Sequence, residues 1–136
     1  MNSMFKILFR IKYKKVVRRK KKVKNKNYLK YKIVALELAQ RRLEYFNTFY
    51  NLKYNKIVIR NQKTRWGSCS KRGNLNFNYK IALLPEKMAD YIIVHELCHL
   101  AEFNHSKNFW NLVAMQIPDY KETRDDLHKN GSKIET

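Results

Sequence analysis

The sequence predicts an α+β fold, and three observations carry that prediction. Apolar residues recur at helical spacing over residues 31–50, apolar and polar residues alternate over 74–81, and an apolar stretch without a helix breaker follows Pro85 over 86–102.

The first segment places Leu36, Ala39, Leu43, Phe46 and Tyr50 in one stripe, with Arg41, Arg42 and Glu44 off it and Asn51 as its stop. Ile57 and Ile59 then alternate with Lys56, Val58 and Arg60, and Leu75, Phe77, Tyr79 and Ile81 alternate with Asn74, Asn76, Asn78 and Lys80. Lys71-Arg72-Gly73-Asn74 supplies a turn in which Gly73 can take positive φ, so an antiparallel β-hairpin is expected from about Ile57 to Leu84, its three asparagines on a solvated face. Pro85 suits the first turn of a helix. Ile92, Ile93, Val94, Leu97, Cys98, Leu100 and Ala101 surround that helix on nearly all sides, which makes it central and buried. Asn104 is expected to end it in a left-handed conformation, Ser106 to cap a helix over Lys107–Gln116, and Pro118 to separate a last helix over Asp119–His128.

At 136 residues and 44% hydrophobic, the chain fits one domain with a real core and needs no disulfides to fold. The net charge of +19 is unevenly placed. Residues 1–32 hold 14 Lys/Arg and no acid, whereas the remainder holds 16 Lys/Arg against 11 Asp/Glu. Residues 1–30 therefore read as a basic N-terminal arm, extended or frayed without a partner, and 31–130 as the folded domain. Alternation of Phe5, Ile7, Phe9, Ile11 and Tyr13 permits a strand within the arm. Cys69 and Cys98 form no CxxC pair, which suits reduced thiols in the cytoplasm. No segment offers the roughly 20 apolar residues of a membrane span, so no membrane partner is expected.

His95-Glu96-Leu97-Cys98-His99 is an H-E-x-x-H pattern. Residues four apart share a helix face with Cβ atoms about 5–6 Å apart, so two imidazoles can converge on one zinc. Glu96 lies about 100° round the helix, where it can take a proton from a zinc-activated water. By chance the pattern arises in a chain this size with a probability on the order of 1%. A third ligand is required. A chain that breaks near Asn104 can turn His105 back toward the metal, and Asp119 or Glu122 are alternatives from the last helix. Glu102 reads as solvent-facing and His128 as a surface histidine.

Arg65-Trp66-Gly67-Ser68-Cys69-Ser70, Gly73-Asn74-Leu75-Asn76-Phe77-Asn78, Pro85, Asp90 through Leu100, Asn104-His105-Ser106 and Phe109-Trp110 together resemble the YgjP-like metallopeptidases, zincins related to the SprT and WLM groups. The resemblance runs from about residue 31 to 128. It implies a minimal zincin-like fold, a zinc site of His95, His99 and His105, Glu96 as the catalytic glutamate, and peptide-bond hydrolysis. The hairpin is then the candidate substrate-binding strand. Arg65 either holds a substrate carbonyl or oxyanion, or pairs with Asp90 or Glu102. Trp66 contacts substrate or packs the core, and Tyr91 flanks the metal or simply packs.

Two functions are expected from these residues. One is a zinc metallopeptidase whose arm brings it near nucleic acid. The other is a nucleic-acid-binding protein with a structural zinc, because fourteen cations without an acid bind phosphates strongly.

Overall fold

The computed structural model describes residues 25–134. Helix α1 spans Lys26–Tyr50, opened by Asn25, whose side chain accepts from the Asn27 N–H, and closed by Asn51 in the left-handed region at φ 50°. Ala35, Ala39, Leu43 and Phe46 form its buried face. The helix starts at Lys26 rather than Tyr31, so residues 26–30, expected in the arm, belong to it. Tyr28 explains why: its ring meets Tyr79 edge-on at 5.6 Å and its hydroxyl donates to the Ile59 carbonyl. The expected strand at Met4–Val17 lies outside the described residues.

Strands β1 (Lys56–Arg60), β2 (Gly67–Cys69) and β3 (Asn74–Asn78) make one sheet in the order β1-β3-β2. The hairpin is narrower than expected. It joins β2 to β3 with Cys69 opposite Leu75, and Gly73 closes its turn at φ 81°. β1 instead runs parallel to β3, Ile57 beside Leu75 and Ile59 beside Phe77. The crossover that a parallel pair requires runs through residues 61–73, and β2 forms inside it.

The alternation expected through Ile81 also changes backbone at Asn78. There the chain tightens into a 3₁₀ turn over Tyr79–Leu83, because the Asn78 side chain accepts from the Lys80 N–H. Leu75, Phe77, Tyr79 and Ile81 all remain fully buried. Asn78 does not lie on a solvated face. It is buried, and its amide nitrogen donates to the carbonyls of Gln62 (2.8 Å) and Arg65 (3.0 Å).

Helix α2 (Glu86–Cys98) follows Pro85 and crosses the centre of the molecule, with Ile93, Val94, Leu97 and Cys98 fully buried. α1, β2, α3 (Lys107–Gln116) and α4 (Tyr120–Asn130) pack around it. Arg42 of α1 grips Asp90 of α2 with two hydrogen bonds of 2.7 and 2.8 Å. No helix among the described residues is long and apolar enough to cross a membrane.

Candidate metal centre

α2 ends at Cys98, earlier than expected, and Asn104 does not adopt the left-handed conformation. The chain leaves the helix through a tight turn instead. The amides of Leu100, Ala101 and Glu102 bond the Leu97 and Cys98 carbonyls, and the Glu102 carbonyl lies 3.0 Å from His99 Nδ1. Ser106 then caps α3 as expected, accepting from the Phe109 N–H. This capped turn carries His105 back over the end of α2.

The three histidines meet there. Their Nε2 atoms stand 3.2 Å (His95–His99), 3.1 Å (His99–His105) and 3.1 Å (His95–His105) apart. Three nitrogens held at roughly 2.0–2.1 Å by one tetrahedral ion stand about 3.3 Å apart, so the spacing suits a metal. The donor chemistry agrees. A carbonyl oxygen only accepts, so His99 Nδ1 carries the proton and its Nε2 presents a lone pair to the centre. Burial, then the neighbouring His99 and His105 and lastly Arg124, push His95 down to about 3, which keeps it in the neutral, ligating form. Burial likewise lowers His99, against the hydrogen bond to Glu102. Among the described residues this is the one group of three or more His, Cys, Asp or Glu close enough to hold an ion. Asp119, an alternative third ligand, is instead paired with Lys87, and neither it nor Glu122 joins the group.

An aromatic wall holds the imidazoles in place. Phe109 stacks on His99 at 4.4 Å, Trp110 on His105 at 5.8 Å, and Tyr120 on the ring of Trp110 at 4.9 Å. The Tyr91 hydroxyl lies 3.4 Å from His95 Nδ1.

A cleft of about 560 Å³ opens over this centre between β2 and α4. Among the described residues, Glu96 is the only carboxylate lining it. It is buried against β2, and burial pushes its carboxyl up to about 8 while Arg65 pulls the other way. Arg65, Trp66 and Tyr91 all line the cleft. Arg65 pairs with neither Asp90 nor Glu102: Asp90 is taken by Arg42, and the Arg65 side chain stays exposed. Trp66 is half-buried, and a Cβ at Gly131 would stand 3.1 Å from its Cζ2 and 2.9 Å from Leu127 Cδ1.

Sequence reasoning missed Arg124 and Phe103, which line the cleft; His128 is exposed, as expected of a surface histidine, and lines the cleft as well. Tyr120, Arg124 and His128 recur every four residues, a helical stripe that was readable. Arg124 also lies 5.1 Å over the Trp110 ring.

Residues 5–130 match the YgjP-like metallopeptidase domain. The chain belongs to the YgjP-like metallopeptidase family. The solved structure of the metallopeptidase zymogen of Pyrococcus abyssi abylysin is similar to it, with a TM-score of 0.62 and 26% identity, covering 68% of this chain and 93% of that one. No curated protein matched. Family and fold make this YgjP-like chain a metal-dependent protease of α+β architecture, and its three histidines can hold the ion.

Proposed function

We propose that this YgjP-like protein hydrolyses peptide bonds with a zinc ion held by His95, His99 and His105 and with Glu96 as general base. The observation that carries the reading is the convergence of three Nε2 atoms within 3.2 Å of one another beside Glu96, the only carboxylate of the cleft among the described residues. Zinc bound there supplies a Lewis acid that acidifies water and polarises a carbonyl. Glu96 takes the proton of the attacking water and delivers it to the departing amine. Its burial keeps bulk water from competing, and the positive charge of a metal offsets the upward shift of its carboxyl. Arg65, Trp66 and Tyr91 are the substrate-facing groups of the cleft, with Arg65 able to donate to the oxygen that gains charge. Histidine nitrogens in a near-tetrahedral set favour zinc over oxygen-seeking ions such as magnesium.

The test is a pair of measurements on full-length protein. Wild type is expected to carry about one zinc per chain and to cleave unstructured protein substrates. Glu96→Gln is expected to retain the zinc and lose the cleavage. Equal activity in the two proteins excludes Glu96 as the base, and a wild type without zinc after gentle purification removes the metal assignment.

The basic segment favours an additional reading, in which the protease acts near nucleic acid; the alternative is a nucleic-acid binder whose zinc is structural. The fourteen Lys/Arg of residues 1–32 support contact with phosphates. Changing Arg18, Arg19, Lys20, Lys21 and Lys22 to Gln in the full chain should weaken DNA binding and flatten its salt dependence. Truncation at Tyr31 is unsuitable for this test, because it would also remove Tyr28 from its packing on Tyr79. Cys69 and Cys98 are unbridged, which supports a cytoplasmic location.

A further inference from the structure

A second cavity, of about 340 Å³, adjoins the metal cleft and shares Arg65, Trp66, Leu127 and His128 with it. Its charge is one-sided. Among the described residues, Lys63, Arg65 and Lys80 line it, no carboxylate does, and none of the three is in a salt bridge.

The cavity is also built rather than incidental. Buried Asn78 fastens three of its walls at once, donating to the Gln62 and Arg65 carbonyls and accepting from the Lys80 N–H. Its own N–H donates to the Trp66 carbonyl at 2.8 Å. The loop that carries Lys63 and Arg65 is therefore held against the turn that carries Lys80. On the same wall Gln62 Oε1 is buried without a partner among the described residues, an arrangement that costs stability unless a ligand or water answers it.

We propose that this cavity is a specificity subsite that takes a carboxylate of the peptide substrate, either an acidic side chain or the C-terminal group. The inference rests on the peptidase reading, because a peptide lying in the metal cleft reaches the cavity across the shared Arg65–Trp66 wall. Cations with no salt-bridge partner among the described residues, on a braced loop and in a recess, recognise an anion without first being reorganised.

The experiment measures binding separately from cleavage. Zinc-loaded, full-length Glu96→Gln protein is titrated with fluorescent peptides of one neutral sequence. One set is amidated, with a single Glu moved along it; one member is neutral with a free C-terminal carboxylate; the reference is neutral and amidated. One acidic form should bind roughly tenfold tighter than the reference. Preference for the free terminus identifies a C-terminal carboxylate, and preference for one Glu position identifies a side chain. Adding Lys63→Gln and Lys80→Gln should erase the preference, with zinc content and circular dichroism unchanged.

Equal affinity for all forms, or a preference that survives the lysine changes, overturns the subsite. So does loss of single-stranded DNA binding in the lysine variant with peptide preference intact, which would assign the cavity to phosphate. Cleavage by wild type is followed in parallel. Carboxylate preference without any cleavage supports the subsite and removes the peptidase reading, whereas cleavage without preference does the reverse.

Discussion

Gly67 of β2 lies directly against Glu96 of α2. A Cβ at position 67 would stand 2.9 Å from Glu96 Cγ and 3.0 Å from both Glu96 Oε1 and the Asn76 carbonyl oxygen. The strand backbone thus forms the wall that aims the carboxylate, and the absence of a side chain at 67 lets it do so. The Asn76 carbonyl belongs to β3 and is fixed, so a new methyl group must displace Glu96. Gly67→Ala is expected to lower kcat by roughly 100-fold, the scale of a 1 Å misplacement of a catalytic group. Zinc content should stay at the wild-type level, because the three atoms nearest the new Cβ belong to Glu96 and Asn76 and none to a histidine. A variant that loses zinc along with activity would show instead that β2 supports the whole centre.

The Arg42–Asp90 fork ties α1 to the metal helix one turn before His95. Both side chains are mostly buried, at 16% and 13% exposure. The hydrogen bond to Asp90 outweighs burial and, with the charge of Asp90, raises Arg42 further above an already high value, so the guanidinium stays charged at any ordinary pH. Among the described residues, Asp90→Ala leaves the guanidinium with Glu86, at 3.7 Å, as its one carboxylate partner. It should cost about 1–3 kcal/mol in urea denaturation. A loss under about 0.5 kcal/mol would place the pair with ordinary surface ion pairs.

The contrast between these two contacts marks where the sequence was legible. The stripe of Ala39, Leu43 and Phe46, the burial of α2 and the convergence of His95 with His99 follow from helical periodicity alone, because 3.6 residues per turn fixes which side chains share a face. Alternation in β3 identified its inward residues but said nothing of partners, since a period of two is the same for parallel and antiparallel neighbours. The early exit of α2 depends on carbonyl bonds within residues 97–102, and the 3₁₀ turn after β3 on one asparagine side chain. Neither leaves a periodic trace. The Gly67–Glu96 contact joins residues from two elements, and only their packing reveals it.

Metal removal should weaken the fold as well as stop catalysis. Without an ion, three imidazole nitrogens crowd within 3.2 Å of each other, and no arrangement of protons lets all three form good hydrogen bonds. An ion held at about a thousand times its Kd contributes roughly 4 kcal/mol to stability. Chelation with EDTA should therefore lower Tm by roughly 10 °C or more, reversed by added zinc. An unchanged Tm would mean that the wall of Phe109 and Trp110 holds the histidines without help.

Cys69 lines the cleft, and its chemistry offers a pH readout. Burial, with a smaller contribution from Glu96, pushes its thiol up to about 11. Folding therefore favours the neutral thiol. The stability this contributes is present below the ordinary thiol value and is lost as pH rises through about 11. At pH 8 the thiolate is scarce, so site-resolved alkylation of Cys69 by iodoacetamide should be at least tenfold slower in the native protein than in guanidinium, and it should accelerate steadily up to about pH 11. A native rate equal to the unfolded one at pH 8 would contradict the environment described for this thiol.

Tyr91 separates two roles that share one position. Its hydroxyl is 3.4 Å from His95 Nδ1, a long contact, and the same side chain lines the cleft. If its work is to orient His95, Tyr91→Phe should weaken zinc affinity by about tenfold, the low end for a lost partner of a metal-ligating histidine, and leave kcat at saturating zinc nearly unchanged. If its work is to donate to the substrate, zinc affinity stays fixed and kcat/KM falls by roughly tenfold or more. The geometry favours orientation, because the contact to His95 is already formed in the free protein. A zinc-competition titration with a chromophoric chelator, run beside peptide cleavage at saturating zinc, decides between the two.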